Sequence, residues 1–226
     1  MGLADLHCHT TASDGVSTPL AMLEAGRRRG LAVVAITDHN TLRGALAARE
    51  LAARDPALPR VVVGAEVTTR QGHVVGLFLE DPIPRRLTAG ETVERIHVQG
   101  GLAVAVHPCW RTGRHGVGPE LLALGGFDAM EVRNGAPAPS MWRANRQAAR
   151  VQRDLGLPVT GGSDAHGRLA LGWALTEFEG STPTDLRRAL EAGRTRARAR
   201  TPAPWALAGY VLGVAGRHPW LVRNVF

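Results

Sequence analysis

Lysine is absent from this chain of 226 residues, and cysteine occurs only twice. All 27 basic residues are therefore arginines, whose charge persists to very high pH, so the sequence pI near 11.1 overstates the basic character of the chain. A net charge of +7 gives only a modest attraction for anionic ligands, and we expect no stable complex with nucleic acid. Two cysteines, Cys8 and Cys109, are too few for a disulfide framework.

Long apolar runs are also missing. No stretch of about 18 apolar residues occurs, and the first residues lack the basic and apolar regions of a signal peptide, so we expect a soluble, cytoplasmic protein. The composition, 44% apolar and 21% charged, predicts one globular domain, which we place at residues 1–200.

An apolar and aromatic extension follows at residues 201–226. Its apolar run from Trp205 to Ala215 is too short to span a bilayer. We expect a helix packed on the domain; a dimer contact, and hence an oligomer, or an interfacial membrane anchor are the alternatives.

Short β-branched runs alternate with stretches of helical pattern along the chain. Seven strands are predicted, at residues 3–9, 32–37, 61–67, 73–79, 103–107, 128–132 and 158–162. Five helices are predicted, at residues 19–29, 42–54, 91–99, 140–155 and 183–191. Strands separated by helices need parallel crossovers, so the fold class is α/β. This rhythm fits a small (β/α) barrel or an open doubly wound sheet equally well.

Polar side chains gather where these strands end. His7 and His9 close the first strand on one face, and Glu66 ends an apolar strand, where a carboxylate is costly unless it is paired or bound to metal. The carboxyl ends of the strands meet at one edge in both architectures, so we expect the whole set to converge. The set has nine members: His7, His9, Asp14, His39, Glu66, His73, His107, Asp164 and His166. Three histidines fall outside it, namely His97, His115 and His218.

Each member alone has a structural explanation, such as an Asx turn for Asp14, but their joint placement does not. Six imidazoles and three carboxylates suit Mn²⁺, Fe²⁺ or Zn²⁺ and are enough for more than one ion. The sequence therefore predicts a cluster of divalent metal ions.

Short motifs in a fixed order carry a family resemblance over about residues 1–195. They are His7-Cys8-His9, Ser13-Asp14-Gly15, Ile36-Thr37-Asp38-His39-Asn40, Gly64-Ala65-Glu66, His73-Val74-Val75-Gly76, His107-Pro108 and Ser163-Asp164-Ala165-His166. The set resembles the PHP (polymerase and histidinol phosphatase) domain family of metal-dependent phosphoesterases. This resemblance implies a distorted seven-stranded (β/α) barrel, similar to a TIM barrel, with a trinuclear metal centre in its mouth.

The same resemblance implies a distribution of ligands. The first ion has four of them, namely His7, His9, Glu66 and Asp164. The second ion shares Glu66 and adds His73 and His107. Asp14, His39 and His166 form the third site, and because some family members carry histidine at the Asp14 position, we expect two to three ions.

The expected activity is hydrolysis of phosphate mono- or diesters of a nucleotide, an oligonucleotide or a small phosphorylated metabolite. Two ions about 3.5–4 Å apart activate a bridging hydroxide and clamp a phosphoryl group. Glu66 acts through its bridge, and if the third ion is absent, His166 or His39 helps to protonate the leaving alkoxide.

Three further residues are candidates for substrate binding. Arg111 and Arg114 follow His107-Pro108 and suit phosphate, although solvated loop arginines are an equally good account. Asn134 can bond substrate oxygens, with loop-fixing as its alternative. The segment between His107 and Asp164 is short, so we expect a small substrate, or one that a second subunit also contacts.

Other functions remain open. A histidinol-phosphate or sugar-phosphate phosphatase uses the same chemistry, and a metallohydrolase of C–N or ester bonds uses the same hydroxide. A metal-stabilised module that braces a polymerase-like partner is the non-enzymatic alternative, but such modules usually lack ligands, and here every expected position is filled.

Overall fold

The computed structural model describes residues 1–110 and 115–217, which contain nine strands and seven helices. The strands are Gly2–Asp5 (β1), Val33–Ile36 (β2), Arg60–Thr68 (β3), His73–Leu77 (β4), Leu102–Ala105 (β5), Ala129–Asn134 (β6), Val159–Gly162 (β7), Ala174–Phe178 (β8) and Arg196–Ala199 (β9). The helices are Pro19–Arg28 (α1), Arg43–Arg54 (α2), Ala89–Val98 (α3), Pro119–Leu122 (α4), Pro139–Leu155 (α5), Pro183–Glu191 (α6) and Pro204–Arg217 (α7).

All nine strands form one sheet in the order β7-β6-β5-β4-β3-β2-β1-β8-β9. The sheet curls until β7 meets β8, where the Thr176 hydroxyl donates to the Gly161 carbonyl and accepts from the Gly161 amide, both at 2.9 Å. A Cβ atom at position 161 would lie 2.5 Å from the Leu175 carbonyl oxygen, so this approach requires glycine. The result is a nearly closed, barrel-like sheet.

The predicted α/β class is confirmed, but the seven-stranded count is not, because β8 and β9 were missed. Strand β8 carries only one β-branched residue, and β9 reads Arg-Ala-Arg-Ala with largely exposed side chains. Charged side chains of this kind protect the edge of a sheet and leave no apolar periodicity in the sequence.

The prediction of parallel crossovers holds for only four of the eight strand pairs. Strand β4 runs antiparallel to β3, since residues 69–72 form a turn that is too short for a crossover. It also runs antiparallel to β5, although α3 lies between them. The five predicted helices begin and end within two residues of α1, α2, α3, α5 and α6.

Two apolar cores lie on opposite sides of the sheet. In β2, Val34 and Ile36 join a large cluster that includes residues of α1 and α2, whereas Val33 and Ala35 join a smaller one. Helix α6 completes the smaller cluster with Leu190. This packing covers the hydrophobic residues of the strands and leaves the polar residues beyond the strand ends free to form a site.

Helix α7 agrees with the helix expected in the C-terminal extension. Its residues Ala206, Tyr210 and Val214 are buried in the large cluster, whereas Trp205 and Leu212 are each 73% exposed. Among residues 1–110 and 115–217, no helix combines the length and apolar character needed to cross a bilayer.

Candidate metal centre

The nine expected ligands lie on β3 and β4 and in the loops that follow β1, β2, β5 and β7. Strands β1 and β5 end earlier than predicted, so His7, His9 and His107 are loop residues. His107 and Asp164 have positive φ values, 30° and 52°, in a region that non-glycine residues rarely adopt. Strained backbone of this kind is concentrated at functional sites.

The first group of ligand atoms is compact. Nε2 of His7 lies 3.3 Å from Glu66 Oε2 and 3.5 Å from Asp164 Oδ1. Nε2 of His9 lies 3.2 Å and 3.3 Å from the same two oxygens. Atoms bound at 2.0–2.1 Å to one tetrahedral ion lie about 3.3 Å from each other. The four separations therefore fit a shared ion.

The other oxygen of Glu66 faces a second pair of histidines. Its Oε1 lies 2.7 Å from His73 Nδ1 and 3.0 Å from His107 Nε2. A single carboxylate, 1% exposed, thus presents one oxygen to each of two imidazole groups. This is the arrangement expected of a bridge between two ions.

A third group surrounds Asp14 and is looser. Oδ2 of Asp14 lies 3.2 Å from His166 Nε2 and 3.6 Å from His39 Nε2. Its Oδ1 lies 3.6 Å from Nδ1 of His9. Asp14 and His39 are partly exposed, so this group forms the open side of the cluster.

The electrostatics of the cluster call for positive charge. Burial raises the pKa of Glu66, but His39 and His73 outweigh it and hold that pKa well below its ordinary value. For His9, burial lowers the pKa, but the neighbouring carboxylates of Asp164 and Glu66 outweigh burial and raise that pKa to about 10. Without a metal, protons on the imidazoles supply the charge that these carboxylates need.

Divalent cations fit this environment. Among the described residues, no arginine forms an ion pair with the carboxylates of the cluster. Several buried imidazole nitrogens have no hydrogen-bond partner, namely His7 Nε2, His9 Nδ1 and Nε2, His39 Nδ1 and His107 Nδ1. Buried polar atoms normally find partners, and a metal ion is a partner that suits Nε2 of His7 and of His9, which both face Glu66 and Asp164.

Two family models match this chain: the PHP domain over residues 5–99 and the PHP-associated model over residues 142–195. The chain belongs to the PHP family. The resemblance predicted from the motifs is thereby confirmed.

Curated relatives match parts of the chain. An uncharacterised protein of Methanocaldococcus jannaschii is 42% identical over 116 residues, which is 46% of this chain and 67% of the relative. The phosphoribosyl 1,2-cyclic phosphate 1,2-diphosphodiesterase of Eggerthella lenta is 36% identical, covering 50% of this chain and 48% of the relative. The 3′,5′-nucleoside bisphosphate phosphatase of Chromobacterium violaceum is 37% identical, covering 40% of this chain and 32% of the relative. The chain thus spans less than half the length of these two enzymes.

Solved structures share the fold. A two-domain protein of Bacteroides vulgatus, which contains a predicted PHP-like metal-dependent phosphoesterase, has a TM-score of 0.72 at 23% identity, covering 88% of this chain and 64% of that one. PsfC from Pseudomonas syringae has a TM-score of 0.69 at 21% identity, covering 95% of this chain and 98% of that one. The prediction of a hydrolase of the metal-dependent phosphoesterase class is confirmed by the family, whereas the identity and number of the metals are not.

Asn134, for which the sequence left substrate contact and loop-fixing open, points into the protein. Asn134 is 5% exposed, and its amide nitrogen faces Glu131 and Asp164 from within the protein. Its side-chain oxygen accepts from the Ala136 amide at 2.9 Å. Since internal partners occupy both ends of the amide, the loop-fixing account is favoured. Arg111 and Arg114 lie outside the described residues.

Two buried aspartates that the sequence reasoning left out hold the PHP loops. Asp5 accepts hydrogen bonds from the backbone amides of His7, Ser163 and Gly172, and burial raises its pKa to about 6. Asp38 accepts from the Thr10 amide and hydroxyl and from the Ser13 hydroxyl. Asp5 lies within the predicted first strand, and Asp38 directly follows the apolar second one, which was the available signal.

His115, which the strand pattern left out, also borders the cluster. Its ring stacks on Trp110 with centroids 4.9 Å apart and lies 5.3 Å from the ring of His73. Its carbonyl accepts the His73 amide at 2.8 Å. His115 neither lies on a predicted strand nor directly follows one, so a search for polar residues at strand ends could not find it.

Proposed function

We propose that this chain hydrolyses phosphate mono- or diesters with two to three divalent ions of Mn, Fe or Zn. The observation that carries the proposal is Glu66: its Oε1 faces His73 and His107, whereas its Oε2 faces His7, His9 and, at 3.4 Å, Nδ1 of His39. Relatives named as a cyclic phosphodiesterase, a bisphosphate phosphatase and 5′-3′ exoribonucleases support phosphate esters as the substrate class.

The proposed ligand sets follow the three groups of atoms. The first ion is held by His7, His9, Glu66 and Asp164. The second is held by Glu66, His73 and His107, and the third by Asp14, His39 and His166. When bound, such ions supply Lewis-acid activation of water and neutralise charge on the phosphoryl group.

The protein's own groups then orient the substrate and move protons. Nδ1 of His166 donates to the Asp164 carbonyl at 3.0 Å, which leaves the lone pair of Nε2 directed at Asp14. This supports His166 as a ligand of the third site. Where the third ion is absent, the His39 side chain, which is 25% exposed at the solvent side, is proposed to help protonate the leaving alkoxide.

We propose a small phosphorylated compound or a short oligonucleotide as substrate. Only 56 residues separate His107 from Asp164, and they include α4, β6, α5 and β7, so little chain remains for an inserted substrate-binding subdomain. Phosphate contacts from Arg111 and Arg114 stay predictions, as does the division into a domain at 1–200 and an extension at 201–226.

Metal analysis of protein purified without chelator tests this proposal, followed by assays with Mn²⁺ on p-nitrophenyl phosphate, bis-p-nitrophenyl phosphate and nucleoside bisphosphates. We expect bound metal and cleavage of at least one compound. A folded protein that carries no metal and cleaves none of them would contradict the proposal.

Glu66→Gln tests the bridge, because the amide keeps the shape of the side chain but removes an ionised oxygen. We expect the variant to lose bound metal and turnover together. Glu50→Gln, at an exposed site on α2, removes the same charge and should match the wild type in both measurements. Normal turnover in Glu66→Gln would rule out the bridge.

A further inference from the structure

Glu131 is a buried carboxylate behind the metal cluster and is not one of the nine expected ligands. It is 2% exposed. Its Oε1 lies 3.2 Å from Nδ1 of His7. Its Oε2 accepts hydrogen bonds from the His107 amide at 2.8 Å and from the Asn134 side chain at 2.9 Å. Each oxygen of Glu131 therefore contacts an expected ligand: Oε1 contacts the ring of His7, and Oε2 contacts the backbone of His107.

The orientation of Asn134 follows from its surroundings. The Ala136 amide donates to Oδ1, so the NH₂ group must face Glu131 Oε2 and, at 3.3 Å, Asp164 Oδ2. Asn145 of α5 holds the backbone of Asn134 from both sides, accepting from its amide at 3.0 Å and donating to its carbonyl at 2.9 Å. The pairing of β6 with β7 shifts register just after Glu131. Such irregularities redirect side chains, here toward the cluster.

The contact between Glu131 Oε1 and Nδ1 of His7 determines which ring nitrogen of His7 carries a proton. An ionised carboxylate only accepts hydrogen bonds, so Nδ1 of His7 carries a proton, and Nε2 is the nitrogen left to bind a metal ion. Nε2 faces Glu66 Oε2 at 3.3 Å and Asp164 Oδ1 at 3.5 Å. The three atoms point to one place, where a proton on Nε2 or a metal ion supplies the positive charge.

We propose that Glu131 is a positioning residue, which fixes the tautomer of His7 and, through Asn134, the orientation of Asp164 before the first ion binds. Asn134 holds Oδ2 of Asp164, which leaves Oδ1 directed at the ion. The inference rests on the proposed function only through the first ion, and it does not depend on which ester is cleaved. Hydrogen-bond partners of metal-bound histidines commonly contribute about 10–100-fold to metal affinity.

Glu131→Gln tests the role with little change in shape. The Oε2 position receives two N–H donors, so the glutamine oxygen takes that place and its NH₂ group faces Nδ1 of His7. The proton of His7 must then move to Nε2, where it points at the ion. We expect the affinity for Zn²⁺ alone, measured by competition with a chelator, to fall about 10–100-fold while the circular dichroism spectrum is unchanged. Glu24→Gln on α1, at a partly exposed residue 3.8 Å from Arg28, removes the same charge and should keep wild-type affinity.

Nitrogen NMR of protein labelled with ¹⁵N-histidine provides a second measurement that involves no turnover. In Zn²⁺-loaded wild-type protein we expect His7 to carry a proton on Nδ1 and to bind zinc through Nε2, and we expect Glu131→Gln to lose this pattern. Zinc on Nδ1 of wild-type His7, or wild-type zinc affinity in the variant, would overturn the proposal. The wild-type spectrum decides even if Glu131→Gln does not fold.

The outcomes also separate this inference from the proposed function. A wild-type protein that binds zinc with the expected His7 pattern, yet cleaves no phosphate ester, would contradict the proposed function and leave the role of Glu131 standing. An active wild-type enzyme whose Glu131→Gln variant keeps full zinc affinity would contradict the role of Glu131 and leave the proposed function standing. A folded wild-type protein without affinity for Zn²⁺ would overturn both.

Discussion

Single residues set the geometry of the cluster through the space that they leave as well as through the atoms that they supply. Gly162, the last residue of β7, lies against His7 and Glu131. A Cβ atom there would lie 2.4 Å from His7 Cβ and 2.7 Å from Glu131 Oε1. Three chain segments can approach this closely only because one of them carries no side chain.

Gly162→Ala should therefore destabilise the protein by about 1–3 kcal/mol, the usual range for an overpacked interior, and should weaken metal binding as His7 is displaced. Thermal unfolding and zinc affinity measure the two effects. Gly90→Ala is the matched control, since nothing lies within 4 Å of a Cβ atom there and alanine favours helix α3. Equal stability and zinc affinity in Gly162→Ala would contradict the close approach.

At the scale of elements, helix α7 of the C-terminal extension contacts a loop of the cluster. The hydroxyl of Tyr210 accepts the backbone amide of His166 at 3.3 Å, and its ring contacts Trp173 edge-on. Gly209 of the same helix packs near Leu169. The loop after β7, which carries Asp164 and His166, is thus braced by a helix that lies beyond both matched family models.

Tyr210→Phe removes only the hydroxyl and leaves the buried amide of His166 without its partner. We expect a loss of about 1–3 kcal/mol in the free energy of unfolding and weaker binding at the third site. Chemical denaturation and metal stoichiometry are the measurements. Trp205→Phe, on the exposed face of α7, should change stability by less than about 0.5 kcal/mol. If Tyr210→Phe behaves like this control, helix α7 does not brace the loop.

At the scale of the whole molecule, the cluster joins distant parts of the chain. Its ligands come from six segments between His7 and His166, and the central carboxylates are buried. Metal bound at such a centre stabilises the folded state, because the unfolded chain scatters the ligands. The fold and the metal ions therefore depend on each other.

Removal of metal should lower the thermal unfolding midpoint. At a free metal concentration 100 times Kd, binding adds about 2.7 kcal/mol, which corresponds to about 5–10 °C for a chain of this size. Differential scanning calorimetry with Mn²⁺ and with EDTA measures the shift. Identical midpoints would show that the folded state does not bind the metal in preference to the unfolded chain.

Local patterns in the sequence carried much of this description. Thr18 and Thr182, each before a proline, mark the starts of α1 and α6, since N-caps and the first turn depend on neighbouring residues alone. The nine expected ligands follow or lie within apolar strands, so a short window of sequence was enough to identify them. The edge strand β9 had no such pattern and was missed.

The sequence by itself determined the α/β class, the PHP family and the nine residues that form the cluster. Only the tertiary structure decided that the sheet has nine strands, that Asn134 faces inward, and that Glu131 lies against His7, 124 positions away in the chain. The reason is physical: periodicity and capping are properties of adjacent residues, whereas strand pairing, curvature and contacts behind a site depend on how the whole chain packs.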